Sequence, residues 1–572
     1  MAYDLVIRNG TVIDGTGKNG FQADVAIAGG RIAKVGSVGE TGRDEIDAKD
    51  LLVTPGFVDI HTHYDGQATW SNRLSPSSDH GVTTVVMGNC GVGFAPCRPA
   101  DRDKLIRLME GVEDIPGVVM AEGIPWKWET FPEFMDFLGG REYDVDIATF
   151  LPHAPLRVYA MGQRGLDREP ASDADMARMK HLTTEAIHSG ALGVATSRSL
   201  NHRSSDHSLL PGVSAAEGEL IALGMGIKAG GTGLLQCITD FNEPESEFGM
   251  LRRVVERTHV PVSYSLLQFH HVPERWRHVL EMTEQANRDG LWMKGQVFPR
   301  PVGVILGLRF NWNFFSLCPT YKAIAGLGVG ARLKAMCSPE TRRRLIEEYP
   351  TPTTEPVAQV LYNLKNIFVM GDQPNYEPRA GDSIAAQAED RGLRPIDHAY
   401  DLLVADEGRN TFYVPAINFA HGNLGAVSIM LRHQDTLLGL GDGGAHVGLI
   451  CDASAPTYML KRWTGDGSND TLPLPQVIEA LTSRNARAVN LLDRGVIAPG
   501  YRADINLIAL ARIDLGRPKV VNDLPNGAGR LHQTAHGYAA TIVAGEITYR
   551  ESEATGRLPG RLVRGARGAP AN

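Results

Sequence analysis

Two histidines one residue apart, in Pro55-Gly56-Phe57-Val58-Asp59-Ile60-His61-Thr62-His63, close an apolar run. Residues 57–60 read as a short buried strand. Side chains two apart on a strand share a face, so both imidazoles leave the strand end together. Two neutral imidazoles side by side are a metal-ligand pair with coordination positions left over, which suits a metal that does chemistry. The alternative is a strand ending in two ordinary polar residues; His-Thr-His directly after an apolar run favours the metal.

Two further stretches fit the same chemistry. Gly88-Asn89-Cys90-Gly91 follows a second apolar run, and Cys90 there is either a thiolate ligand or a small buried residue in a tight turn. Gly439-Leu440-Gly441-Asp442-Gly443-Gly444-Ala445-His446 ends a late apolar run. Asp442 at such an end can touch a metal and take the proton of an attacking water; the alternative is a capping aspartate in a glycine-rich turn. His446, four residues on, is a candidate for substrate contact. His153, in Pro152-His153-Ala154-Pro155, is a hydrogen-bond donor to a substrate carbonyl, a metal ligand or a structural histidine. Of the adjacent pair His270-His271, at most one can face a site, because neighbours on a strand point opposite ways.

Positioning these residues requires many short strands. Apolar windows at 57–60, 83–87, 147–151, 193–195, 233–235, 262–267, 292–297 and 437–440 alternate with helical stretches such as 173–189 and 245–257. Eight such strands with intervening helices predict an α/β fold, a (β/α)8 TIM-like barrel whose working residues sit at the carboxyl ends of the strands. The two chain ends read instead as short strands and hairpins, for instance around Gly29-Gly30 and Gly545. We therefore expect a small β-sandwich domain from residues 1–54 plus 490–572, and a barrel domain over 55–489. Residues 302–415 exceed one β/α unit and are expected to form a lid. The tail 561–572, rich in Gly, Arg, Ala and Pro, is expected to be loose or packed on a partner.

The chain has 572 residues, 43% hydrophobic and 22% charged, with a formal charge of −9, ordinary values that give no reason to expect nucleic acid or an anionic membrane as partner. The six cysteines follow neither zinc-finger nor disulfide spacing. No apolar run is long enough for a transmembrane helix, and the first residues lack the pattern of a signal peptide, so a cytoplasmic protein is the expectation. Homo-oligomer formation stays open.

Taken together, His61-Thr62-His63, Asp442 and the two-ended β unit resemble the amidohydrolase superfamily. Within it, Gly88-Asn89-Cys90-Gly91, Pro125-Trp126-Lys127-Trp128-Glu129, His153-Ala154-Pro155-Leu156-Arg157 and Asp493-Arg494-Gly495-Val496-Ile497-Ala498-Pro499-Gly500 resemble the N-acyl-D-amino-acid deacylase (D-aminoacylase) family nearly end to end. The resemblance implies amide hydrolysis at a zinc centre, metal on His61, His63, Cys90 and Asp442, and Asp442 as the general acid/base.

Three departures narrow that expectation. Two further family histidines on middle strands are missing: the corresponding stretches read Leu235-Gln236-Cys237-Ile238-Thr239 and Ser265-Leu266-Leu267-Gln268. One ion is therefore favoured over two, held mainly by His61, His63 and Asp442. A family lysine becomes Gln268, and a Tyr-Pro-Tyr-like motif becomes Phe298-Pro299-Arg300, where Arg300 is either a bidentate partner for a carboxylate or a surface or structural arginine. The leading expectation is a metal-dependent hydrolase of N-acyl (D-)amino acids or similar small amides. Its rivals are a hydrolase of cyclic amides, lactones or xenobiotic amides, and a catalytically silent relative that binds a small ligand.

Overall fold

Each of the eight apolar windows contains a strand in the computed structural model, which describes residues 3–353, 357–465 and 470–571. In chain order these are Phe57–Asp59, Val82–Met87, Asp146–Thr149 followed at once by Leu151–Pro152, Gly193–Ser197, Leu234–Ile238, Val262–Ser265, Met293–Val297 and Thr436–Leu438. All their pairings are parallel. The first three form one sheet, and Leu151–Pro152 through Thr436–Leu438 form another in sequence order. Beyond the strands proper, the last meets the first: Thr62 and Gly443 form a parallel bridge.

Alternation along these strands sorts their side chains. Leu235, Cys237, Val262 and Tyr264 belong to the main apolar core, where Tyr264 meets Phe241 and Phe248 edge-on. Gln236, Ser263, Ser265 and Gln296 therefore point to the opposite side. Helices Asp173–Ser189, Glu217–Gly230, Pro244–Thr258 and Arg275–Arg288 separate the strands. Ser172 and Asp175 close a reciprocal capping box on the first of these, which explains its sharp start.

Strands from both chain ends share one nine-stranded sheet. Leu52–Pro55 lies antiparallel to Ile505–Ile508 and leads directly into Phe57, so this sheet delivers the chain to the first central strand. Its own apolar cluster includes Ile7, Val12, Val25, Val53, Ile505, Leu507 and Ile542.

The tail differs from expectation. Gly560 and Tyr143 exchange two main-chain hydrogen bonds, Val563 N–H donates to Ile147 O, and Arg567 N–H donates to Asn490 O. Its main-chain polar groups thus find partners along a strand edge, which composition alone does not reveal.

The segment expected at 302–415 extends to 417 and holds an antiparallel sheet of Val302–Leu306, Phe368–Met370 and Thr411–Ile417 plus several helices, with a separate core around Leu306, Phe314, Phe315, Tyr400 and Phe412. Ile305 N–H donates to Leu449 O at 2.7 Å, joining this segment to the loop after Asp442. Among the described residues no helix is long and apolar enough to cross a membrane.

Candidate metal centre

His61 and His63 leave the end of the first strand on the same side, as their spacing requires, and each is 1% exposed. Cys90 Sγ lies 3.6 Å from His61 Nε2 and 3.7 Å from His63 Nε2. Asp442 Oδ1 lies 3.3 Å from the first Nε2 and 3.5 Å from the second. The two imidazole nitrogens are therefore flanked by a thiol and by a carboxylate. His61, His63 and Cys90 form a group whose ligand atoms lie mutually within 4.8 Å.

Those spacings can be tested against a metal. Zinc holds nitrogen at about 2.0–2.1 Å and sulfur at about 2.3 Å, so tetrahedral edges are about 3.3 Å for N to O and about 3.6 Å for N to S. The His61 and His63 separations from Cys90 and Asp442 match these edges. The ring tautomer of His61 is fixed as well: its Nδ1–H donates to Gln296 Oε1 at 2.8 Å, while Gln296 Nε2 donates to Ser263 Oγ at 3.0 Å. Nε2 of His61 is then the bare nitrogen, facing Cys90 and Asp442.

The local backbone is bent to achieve this. Cys90, Asp442 and His446 have φ of 54°, 47° and 49°, in the left-handed region. Each costs on the order of 1 kcal/mol or more and persists only where surroundings over-determine it. Glycine neighbours make room: a Cβ on Gly443 would lie 2.2 Å from Ser77 Oγ, and one on Gly91 2.9 Å from Thr196 Cα.

Electrostatics divide the cluster. Burial, aided by the His63 charge, pushes His61 down to about 4. Burial also disfavours charge on His63, but Glu113 and Asp442 outweigh it and pull it up to about 9. Burial and the charges of Glu113 and Asp442 hold the Cys90 thiol well above its ordinary value. For Asp442 burial opposes ionisation, yet the His63 hydrogen bond and the charges of His61 and His63 leave it well below the usual carboxylate range. Protons on His63 and Cys90 are thus what a cation would displace.

Other residues singled out in the sequence lie elsewhere or serve other partners. Both nitrogens of His153 are engaged, Nδ1 with Thr196 Oγ1 at 2.8 Å and Nε2 with Glu219 Oε1 at 2.9 Å. Gln268 Nε2 donates to Pro273 O and its Oε1 accepts from Ala420 N–H. Arg300 is buried, donating to Asp452 Oδ1 and Cys451 O at 2.9 Å each, with its guanidinium 3.8 Å from the Tyr376 ring centroid. Cys237 faces the apolar core, and His270 Nε2 lies 3.2 Å from Pro415 O. His446 does join the cluster: its Nε2 is 3.6 Å from Glu113 Oε2.

Three neighbours went unread in the sequence. Glu113 ends helix Arg102–Glu113 and places Oε1 3.4 Å from His63 Nδ1. Gln296 stands on strand Met293–Val297 two residues after Lys294, so polarity alone did not single it out. His202, half-buried, has its Nδ1 2.8 Å from Ser197 Oγ, and burial with the charges of His446 and His63 pushes it down to about 3.

Fold and cluster define a class. The amidohydrolase family profile matches residues 44–298 and 395–549, and the chain belongs to that family. The D-aminoacylase of Alcaligenes xylosoxydans xylosoxydans is 33% identical over 195 residues, 34% of this chain and 37% of that protein, so the match spans little more than a third of that relative. A D-aminoacylase structure described as having a binuclear metal centre, with one-metal activation and second-metal attenuation, superposes with a TM-score of 0.65 at 21% identity, covering 98% of this chain and all of that one. An N-acyl-D-glutamate deacylase from Bordetella bronchiseptica, solved with zinc and a phosphonate inhibitor, gives 0.64 at 21% identity over 99% of this chain and all of that one. The mixed α/β fold is that of these enzymes.

Proposed function

We propose that the chain is a metal-dependent amidohydrolase that cleaves the C–N amide bond of small N-acyl amino acids, those of D configuration first among them. The observation that carries the reading is the convergence of His61 Nε2, His63 Nε2, Cys90 Sγ and Asp442 Oδ1. In this reading these four residues hold one zinc ion. When bound, the metal polarises the scissile carbonyl and makes a water nucleophilic near neutral pH. Asp442, one-fifth exposed at its side chain, takes the attacking water's proton on Oδ2 and passes it to the leaving amine. Gln296 keeps His61 Nε2 available, and the burial of His61 and His63 keeps bulk water from competing for the charges.

The architecture is read to match. The eight parallel strands close a barrel at the Thr62–Gly443 bridge, residues 1–54 with 490–572 form a β-sandwich unit beside it, and 302–415 cover the mouth. His446 and His202 line the substrate's path.

A second reading has one observation in its favour. Gln268 is held by Pro273 and Ala420, and Arg300 by Asp452, so neither candidate for a substrate carboxylate is free of a protein partner. A neutral cyclic amide or lactone asks for no such cation. Assaying purified protein, with and without chelator, against N-acetyl-D- and L-amino acids, hydantoins and lactones decides between the two. Chelator-sensitive release of a D-amino acid is the expected result; inertness toward every linear amide would overturn it.

A further inference from the structure

The end of helix Arg102–Glu113 touches both sides of the cluster. Glu113 is 1% exposed, and its two carboxylate oxygens have different neighbours: Oε1 is 3.4 Å from His63 Nδ1, and Oε2 is 3.6 Å from His446 Nε2. The main chain repeats the connection. His446 N–H donates to Glu113 O, and Gly448 N–H donates to the Asp114 carboxylate at 3.3 Å. Glu113 meets the Nδ1 side of the His63 ring and also reaches the Cys90 thiol, whereas Cys90 and Asp442 meet His63 at Nε2. Its carboxylate is therefore set to turn that ring from behind.

We propose that Glu113 is the positioning residue of this centre: one oxygen orients His63 toward the metal position, and the other docks His446 and its loop beside it. The inference rests on the metal reading above. A carboxylate behind a ligating imidazole fixes the ring's tautomer and rotation and raises its basicity. Gln296 does the corresponding work for His61 with a neutral amide, so the two ligands are held by unlike partners. One buried carboxylate thereby couples a ligand from the first strand to the loop that follows Asp442 on the last.

The test is zinc affinity of the full-length protein by competition with a chromophoric chelator, alongside the visible spectrum of the cobalt(II) form. Glu113→Gln keeps the shape and removes the charge; we expect about 10–100-fold weaker zinc binding and a shifted cobalt spectrum, with the melting curve of the metal-free protein close to wild type. Glu113→Asp keeps the charge with shorter reach and should fall between, so it carries the test if the glutamine variant does not fold. Wild-type zinc affinity and spectrum in both variants, while His63→Ala loses metal, overturns the role of Glu113 alone. If His61→Ala and His63→Ala also bind zinc like wild type, the metal reading itself fails, and this inference with it.

Discussion

Asp442 N–H donates to His61 O at 3.1 Å, and His63 N–H returns a bond to Gly443 O at 2.7 Å. Residues almost four hundred positions apart are thus laced together as strand extensions. This lacing puts the Asp442 carboxylate within 3.5 Å of both imidazoles. The carboxylate and the histidines are parts of one seam, which is why glycine flanks the aspartate on both sides.

Asp442→Asn keeps the size of the side chain and removes its ability to take a proton. Amide hydrolysis should fall by about 10²–10⁴-fold, the usual contribution of a positioned acid/base. Steady-state rates under saturating zinc measure this; a variant within threefold of wild type would assign the proton to another group.

Gly443→Ala should disturb the centre without altering any ligand. The added Cβ would lie 2.2 Å from Ser77 Oγ and 3.0 Å from Tyr64 Oη, so the Asp442 loop must shift. A loss of about 1–3 kcal/mol in stability together with reduced turnover is expected. Gly381→Ala, where an added Cβ meets nothing within 4 Å, is the control and should leave both unchanged. Equal behaviour of the two variants would contradict the packing argument.

Arg300→Met discriminates between a structural and a substrate-binding arginine. The pair Arg300–Asp452 is buried on both sides, and removing one partner strands a charge at a cost of about 3–5 kcal/mol. A lowered urea midpoint is expected. Undiminished stability with a raised KM for carboxylated substrates alone would instead return Arg300 to the substrate.

His80 sets a pH dependence away from the candidate metal centre. It is fully buried, with Nδ1 2.8 Å from Thr457 Oγ1 and Nε2 3.0 Å from Gln533 O, a pattern complete with a neutral ring. Burial, with the His532 charge, pushes it from the model-peptide value of 6.5 down to about 4. Between those values the unfolded chain binds the proton and the folded one does not, so stability is full above pH 6.5 and is lost as pH falls toward 4. The contribution is on the order of 3 kcal/mol. Urea midpoints at pH 7 and pH 5 should drop less in His80→Gln than in wild type; identical drops would dismiss His80 as a source.

Much of the architecture was legible because short buried strands announce themselves by composition. All eight apolar windows contain strands, with errors at the ends. The window at 262–267 ran on through Leu266 and Leu267, but the strand stops at Ser265, and Gln268 N–H bonds Asn418 instead. His61, His63, Cys90 and Asp442 were legible because each directly follows such a run. Glu113 was not: it lies at a helix end with no spacing signal, and only the tertiary fold carries it to His63. The commitments of His153, Gln268 and Arg300 to Glu219, Ala420 and Asp452 are likewise long-range contacts that local sequence cannot show.

Metal content tests the proposed centre most directly. Elemental analysis of the purified full-length protein, before and after chelation and zinc reconstitution, should find about one zinc per chain and hydrolysis that is lost and regained with it. Protein that takes up no metal on reconstitution, or that hydrolyses its substrate unchanged without any, would contradict the account.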